Sequence, residues 1–165
     1  MPETKRIVIN TGPLIALVAA LEDLAILSRL YDQVLVPLEV RAEIQRGGPA
    51  DFAVTALDTQ CLRVWPRELD IPPLLANSLD RGEAAVIQLA LNERIPTVCI
   101  DETVGRRYAR LSGLLLTGSL GILIRGKQVG LDFSSSEAVR RMRERGIWLS
   151  ERIVREAEAR LGEDV

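Results

Sequence analysis

KRIVINTGPLIAL, residues 5–17, changes period in its middle. Arg6 to Ile9 form a short apolar, β-branched run of the kind buried in a parallel sheet. Gly12-Pro13 then turn the chain, and Leu14, Leu17, Val18 and Leu21 recur on one helical face. Thr11 is placed to cap that helix, and Pro13 suits its first turn. Asn10 stands where strand becomes loop. In open α/β proteins that junction, outside the carboxyl end of a strand, is where ligands and chemistry gather.

The same switch from strand to helix recurs along the chain. QVLVP (33–37), PTVCI (96–100) and LLLTG (114–118) read as strands, and CLRVW (61–65) as a weaker edge strand, since Pro66 follows at once. Helical patterns lie between them. One starts at Asp23 and runs through Leu24, Leu27 and Leu30; another covers PLEVRAEIQRGG, with Pro37 near its start and Gly47-Gly48 as its stop. A short helix is expected over PADFAVTALDT (49–59). RELDIPPLLANSLDRGEAAV reads as an irregular connector before Arg81, because it carries Pro72-Pro73. From Arg81 a helix apolar nearly all round is expected to be buried, and ETVGRRYARLSG and SLGILIRGKQVG follow as helices. In the tail, Ser134 precedes Glu137 at capping-box spacing, and Ser150 caps a last helix that buries Ile153, Val154, Ala157 and Leu161. Alternating strands and helices predict parallel βαβ units with helices on both faces of one sheet. The chain reads as a single domain, 1–165, with 133–165 as a C-terminal helical extension.

Composition narrows the chemistry. The 165 residues are 47% hydrophobic but only 4% aromatic, so the core is aliphatic, and the net charge of −2 does not announce a nucleic-acid binder. Histidine is absent, which removes the commonest general base and metal ligand and every Ser-His or Cys-His pair. No G-x-G-x-x-G follows a strand and no phosphate-binding G-x-x-x-x-G-K-[ST] occurs. Cys61 and Cys99 lie far apart in apolar surroundings and read as buried thiols of a reduced compartment. No signal segment or membrane-crossing run is read, so a soluble cytoplasmic protein is expected.

Acidic residues cluster where strands end. Glu39 and Glu43 share a helix face after the second strand, Asp80-Arg81-Gly82-Glu83 opens the buried helix, and Asp101-Glu102 closes PTVCI. Hard cations such as Mg²⁺ and Mn²⁺ take oxygen ligands of this kind. They activate water without histidine.

VINTGPLIAL, VLVPLEVRAEI and the long block from LDRGEAAVIQLAL to TGSLGILIRGKQVGL resemble the PIN-like domain proteins. Within these the chain is most similar to a prokaryotic branch related to the VapC toxin ribonucleases, over Arg6 to about Leu131. The resemblance implies a three-layer α/β/α fold with a central parallel sheet, here followed by a C-terminal helical pair. It implies a metal-dependent endoribonuclease that uses Mg²⁺ or Mn²⁺ and acts on RNA. It also implies a homodimer, and a small antitoxin protein as partner if the chain is the toxin of a toxin–antitoxin pair. Carried over by position, the catalytic and metal-binding set is Asn10, Glu43 (Glu39 as the lesser choice), Glu83 and Asp101. Glu102, Thr11 and Ser119 are auxiliary, and Arg106, Arg107 and Arg110 are candidates for nucleic-acid binding.

Asn10 departs from the family pattern, which has aspartate there. Its amide oxygen can still ligate a cation. At ~4 Å and an effective dielectric of ~20, the missing unit charge forfeits on the order of 4 kcal/mol beside a monovalent partner. The amide also relieves repulsion among the acids and can donate to Glu43 or Asp101. Two readings stand from here: a ribonuclease with a partly degraded site, or a catalytically weak or inactive relative that binds RNA or protein. The arginines of the tail, Arg140, Arg141, Arg143 and Arg145, bear on the second.

Overall fold

The computed structural model describes residues 4–48 and 50–161. β1 (Arg6–Ile9) lies at the centre of a parallel sheet, pairing with β2 (Gln33–Val36) on one side and β4 (Thr97–Cys99) on the other. β3 (Arg63–Val64) extends the sheet beyond β2, and β5 (Leu115–Thr117) beyond β4, in the order β3-β2-β1-β4-β5. Val8 stands between Leu35 and Val98 in register. Ile7, Val8 and Ile9 have no exposed surface. A strand covered on both faces has no use for polar alternation, so RIVI is apolar along its length.

The helices complete three layers, α/β/α. α5 (Arg81–Glu93) lies on β1 and β4, and meets α3 (Leu38–Gln45), α4 (Pro73–Ser78) and α6 (Thr103–Leu111). α1 (Thr11–Leu21) packs against α7 (Ser119–Gln128) and α8 (Ser135–Glu144), while α2 (Ala25–Leu30) touches β2 and α7. α9 (Glu151–Leu161) closes over α7 and α8. α5 buries Ala84, Ala85, Val86, Ile87, Leu89 and Ala90, since it is covered by sheet on one side and helices on the other.

Several sequence expectations are corrected. Asn10, not Thr11, occupies the N-cap position of α1, and no side chain caps that helix. Asp23 lies outside α2, where its Oδ1 accepts from Ala25 N at 3.0 Å. The helix expected over 49–59 is two short 3₁₀ turns, Asp51–Ala53 and Thr55–Leu57; Pro49 lies outside the described residues. The connector before Arg81 contains α4, because Pro73 sits in the first helical position, where proline starts a helix instead of breaking one. In the tail the caps hold: Glu137 N donates to Ser134 Oγ and Ile153 N to Ser150 Oγ, with Val154 and Ala157 buried. Ile153 is 40% exposed, against the expectation, and the side chain of Leu161 lies outside the described residues. Among the described residues, no helix is long and apolar enough to cross a membrane.

The chain steps outward from β1 to β2 and β3, then crosses back past β1 to β4 and β5. This reversal opens a crevice between the carboxyl ends of β1 and β4.

Candidate metal centre

Asn10 follows the last residue of β1. Its N–H donates to Cys99 O at 3.0 Å, and its carbonyl accepts from Leu14 N, so the backbone is fixed to β4 on one side and α1 on the other. The side chain is buried, and its Oδ1 has no hydrogen-bond partner. The next residue, Thr11, turns its hydroxyl across to α3, where Oγ1 donates to Glu43 Oε2 at 2.7 Å. The Glu43 carboxylate lies flat against Gly82 of α5; a Cβ on Gly82 would run into Glu43 Oε1. A glycine there is what lets α3 and α5 bring their acids together.

Glu39, one turn earlier on α3, does a different job. It is buried, and its Oε2 accepts from Leu69 N at 3.0 Å, tying the connector between β3 and α4 to α3. Its Oε1 has no partner. Glu39, Glu43, Glu68 and Asp80 line a cleft of about 400 Å³ together with Arg46 and Arg81.

The tightest group of carboxylates forms where α5 and α6 begin. Asp80 caps α5, its Oδ1 accepting from Glu83 N at 2.8 Å. One carboxylate oxygen from each of Asp80, Glu83 and Glu102 lies within 4.8 Å of the others. Asp80 and Glu102 are exposed, whereas Glu83 is 3% exposed and its Oε1 has no partner. Gly105 of α6 closes over it: a Cβ there would sit 3.3 Å from Glu83 Oε1 and 2.9 Å from Ile100 Cγ2. Burial pushes the Glu83 carboxyl up to about 8, and the neighbouring Asp80 and Glu102 carboxyls push the same way.

Asp101, at the end of β4, is held from the other side of the crevice. Its Oδ1 accepts from Ser119 N at 2.7 Å and its Oδ2 from Ser119 Oγ at 2.8 Å, and a Cβ on Gly118 would approach Oδ1 to 2.6 Å. Although much of the residue reaches solvent, protein packed around the carboxylate raises its pKa; the Ser119 bonds and the Arg106 charge oppose the rise. Arg106 Nη1 donates to Ile100 O at 2.7 Å and Thr117 O at 3.4 Å, which ties the ends of β4 and β5 together. Arg107 and Arg110 are exposed on α6.

The structure therefore draws the expected residues into three adjoining groups: Thr11 with Glu43, Asp101 with Ser119, and Glu83 with Glu102. Glu43 adjoins Glu83 through Gly82, and Asp101 adjoins Glu102 along the chain. Asn10 is linked to them through its backbone and α1. The hydrogen-bond donors to Glu43 and Asp101 are Thr11 and Ser119, not the expected Asn10 amide. Asp80 stands among the acids that open the buried helix but outside the set carried over by position. Its place three residues before Glu83 reads as a helix cap, which it is, and only the folded chain shows its carboxylate beside those of Glu83 and Glu102.

An all-oxygen donor set, with buried unpartnered oxygens on Glu83 and Asn10, fits a hard divalent cation. Residues 6–163 match a family model described as a PIN domain. No curated protein matches the chain.

Proposed function

Because the chain belongs to the PIN-domain family, whose fold is of the nuclease type, we propose that it is a metal-dependent endoribonuclease of the VapC-like kind. The observation that carries this reading is Glu83: buried, with an unpartnered carboxylate oxygen, and joined by two further carboxylates at the crevice of a parallel sheet. Glu83, Glu43, Asp101 and the amide oxygen of Asn10 would hold Mg²⁺ or Mn²⁺, with Glu102 beside them. A bound cation of this type supplies Lewis-acid polarisation of a phosphoryl group and lowers the pKa of water. The protein's own residues do the rest. Thr11 and Ser119 fix the carboxylates of Glu43 and Asp101 by hydrogen bonds at 2.7 and 2.8 Å, so both are oriented before substrate arrives. An acidic crevice repels phosphodiesters on its own, so RNA is excluded until positive charge is present. Arg107 and Arg110 offer exposed guanidinium groups to the RNA backbone beyond it. The protein acts in the cytoplasm as a homodimer, as the toxin of a pair whose small antitoxin covers the crevice.

The test uses the purified full chain, RNA and added Mg²⁺ or Mn²⁺. Cleavage is expected to vanish with chelator and in Glu83→Gln and Asp101→Ala. Cleavage that survives both substitutions, or never appears with either metal, overturns the proposal. The uncharged Asn10 favours a second reading, a catalytically weak member that binds RNA or a protein. Asn10→Asp separates the two: a strong gain of cleavage marks a weakened enzyme, and no gain marks a binding module.

A further inference from the structure

We propose that Asp80, drawn by its capping bond at the start of α5 against Glu83 and Glu102, supplies the centre with the negative charge that Asn10 does not, so that Asp80 joins the residues named above in holding the cation. This rests on the cation-dependent function proposed above. It assigns the ligand charge to a residue outside the set that position in the family implies.

Three observations support it. Asp80 Oδ1 is committed to Glu83 N at 2.8 Å, which fixes the carboxylate and holds it beside the group it would share a cation with. Oxygens of Asp80, Glu83 and Glu102 lie within 4.8 Å of one another, with the exposed Asp80 and Glu102 flanking the buried Glu83. The third observation is Glu83 itself, 3% exposed, with an Oε1 that accepts no hydrogen bond. A buried acceptor without a partner is costly, and a cation ligand removes that cost. Asp80 and Glu102 are both exposed, so the group opens to solvent on their side. Asn10 Oδ1, also buried and unpartnered, fits as a neutral ligand in such a set.

The substitution that isolates the charge is Asp80→Asn, because asparagine caps a helix as well as aspartate does. Mn²⁺ binding to the full chain, followed by electron paramagnetic resonance or calorimetry, is the readout, with thermal melting in chelator as the control for folding. Asp80→Asn is expected to bind Mn²⁺ at least about tenfold more weakly, with its melting temperature in chelator unchanged. Adding Asn10→Asp to that variant is expected to recover much of the lost affinity. Asp80→Ala, which loses cap and charge together, is expected to weaken binding and lower the melting temperature. If Asp80→Asn binds Mn²⁺ like the parent while only Asp80→Ala is impaired, Asp80 is a cap alone and the proposal is overturned, with the nuclease reading left standing. A parent protein that binds no Mn²⁺ overturns both.

Discussion

Glu83 holds its proton to about pH 8 in the folded chain, against an ordinary value of 4.5, because it is buried and faces two other carboxyls. An acid whose pKa rises on folding favours the folded state while it keeps its proton. That contribution is whole below about pH 4.5 and is lost as the pH rises through about 8. In chelator, Glu83→Gln is therefore expected to melt at least about 10 °C above the parent near pH 9, with almost no gap near pH 4.5. Mn²⁺ is expected to narrow the gap at the higher pH, since it gives the ionised parent a partner; a gap of equal size at both pH values would refute the assignment. Gly82 carries a second prediction at this scale. A methyl group there meets the end of a flexible side chain, Glu43 Oε1, which can swing aside at the expense of its bond to Thr11. Gly82→Ala should thus leave the melting temperature within about 2 °C of the parent while weakening Mn²⁺ binding and RNA cleavage severalfold. Asn10 and Asp101 lie at strand ends and Glu83 at a helix start that the sequence marks, while Glu43 lies in the last turn of α3. The approach of Asp80 to Glu102 was not legible in the residues, because twenty-two positions separate them and their proximity depends on how α5 and α6 pack.

Among the elements, the strands were the easiest to read. RIVI is bounded by Lys5 and Asn10 and matches β1 residue for residue, because a buried parallel strand leaves an unbroken apolar run. The order of strands was not readable, since nothing local says that β4 returns to the far side of β1. α4 escaped because Pro72-Pro73 has two meanings, and the helix begins where a break was expected. The connector that precedes α4 is held to α3 by Glu39, through Leu69 N at 3.0 Å. Removing that carboxylate in Glu39→Ala should speed amide hydrogen exchange at Leu69 at least about tenfold, as expected from a hydrogen bond to a charged group, while amides of β1 keep their protection. Equal exchange in variant and parent would show that the connector is held by its apolar contacts instead.

Across the whole molecule the charges sum to −2, yet they are unevenly placed: acids gather at the crevice, and Arg107 and Arg110 stand exposed on α6. If these two arginines meet an RNA backbone, replacing both with alanine should flatten the salt dependence of RNA binding, lowering the magnitude of its log–log slope by about 1.4. An unchanged slope would place the RNA path elsewhere. The topology also has a consequence in time. Asn10, Glu43, Glu83, Asp101 and Ser119 come from successive junctions along the chain, and β4 pairs with β1 only after the strands on the other side are made. A nascent chain on the ribosome has its first corner early, but the opposite wall of the crevice does not exist until Ser119 has been synthesised and β4 has docked. Through most of its own translation the chain therefore carries the separate acids of the crevice without the crevice itself.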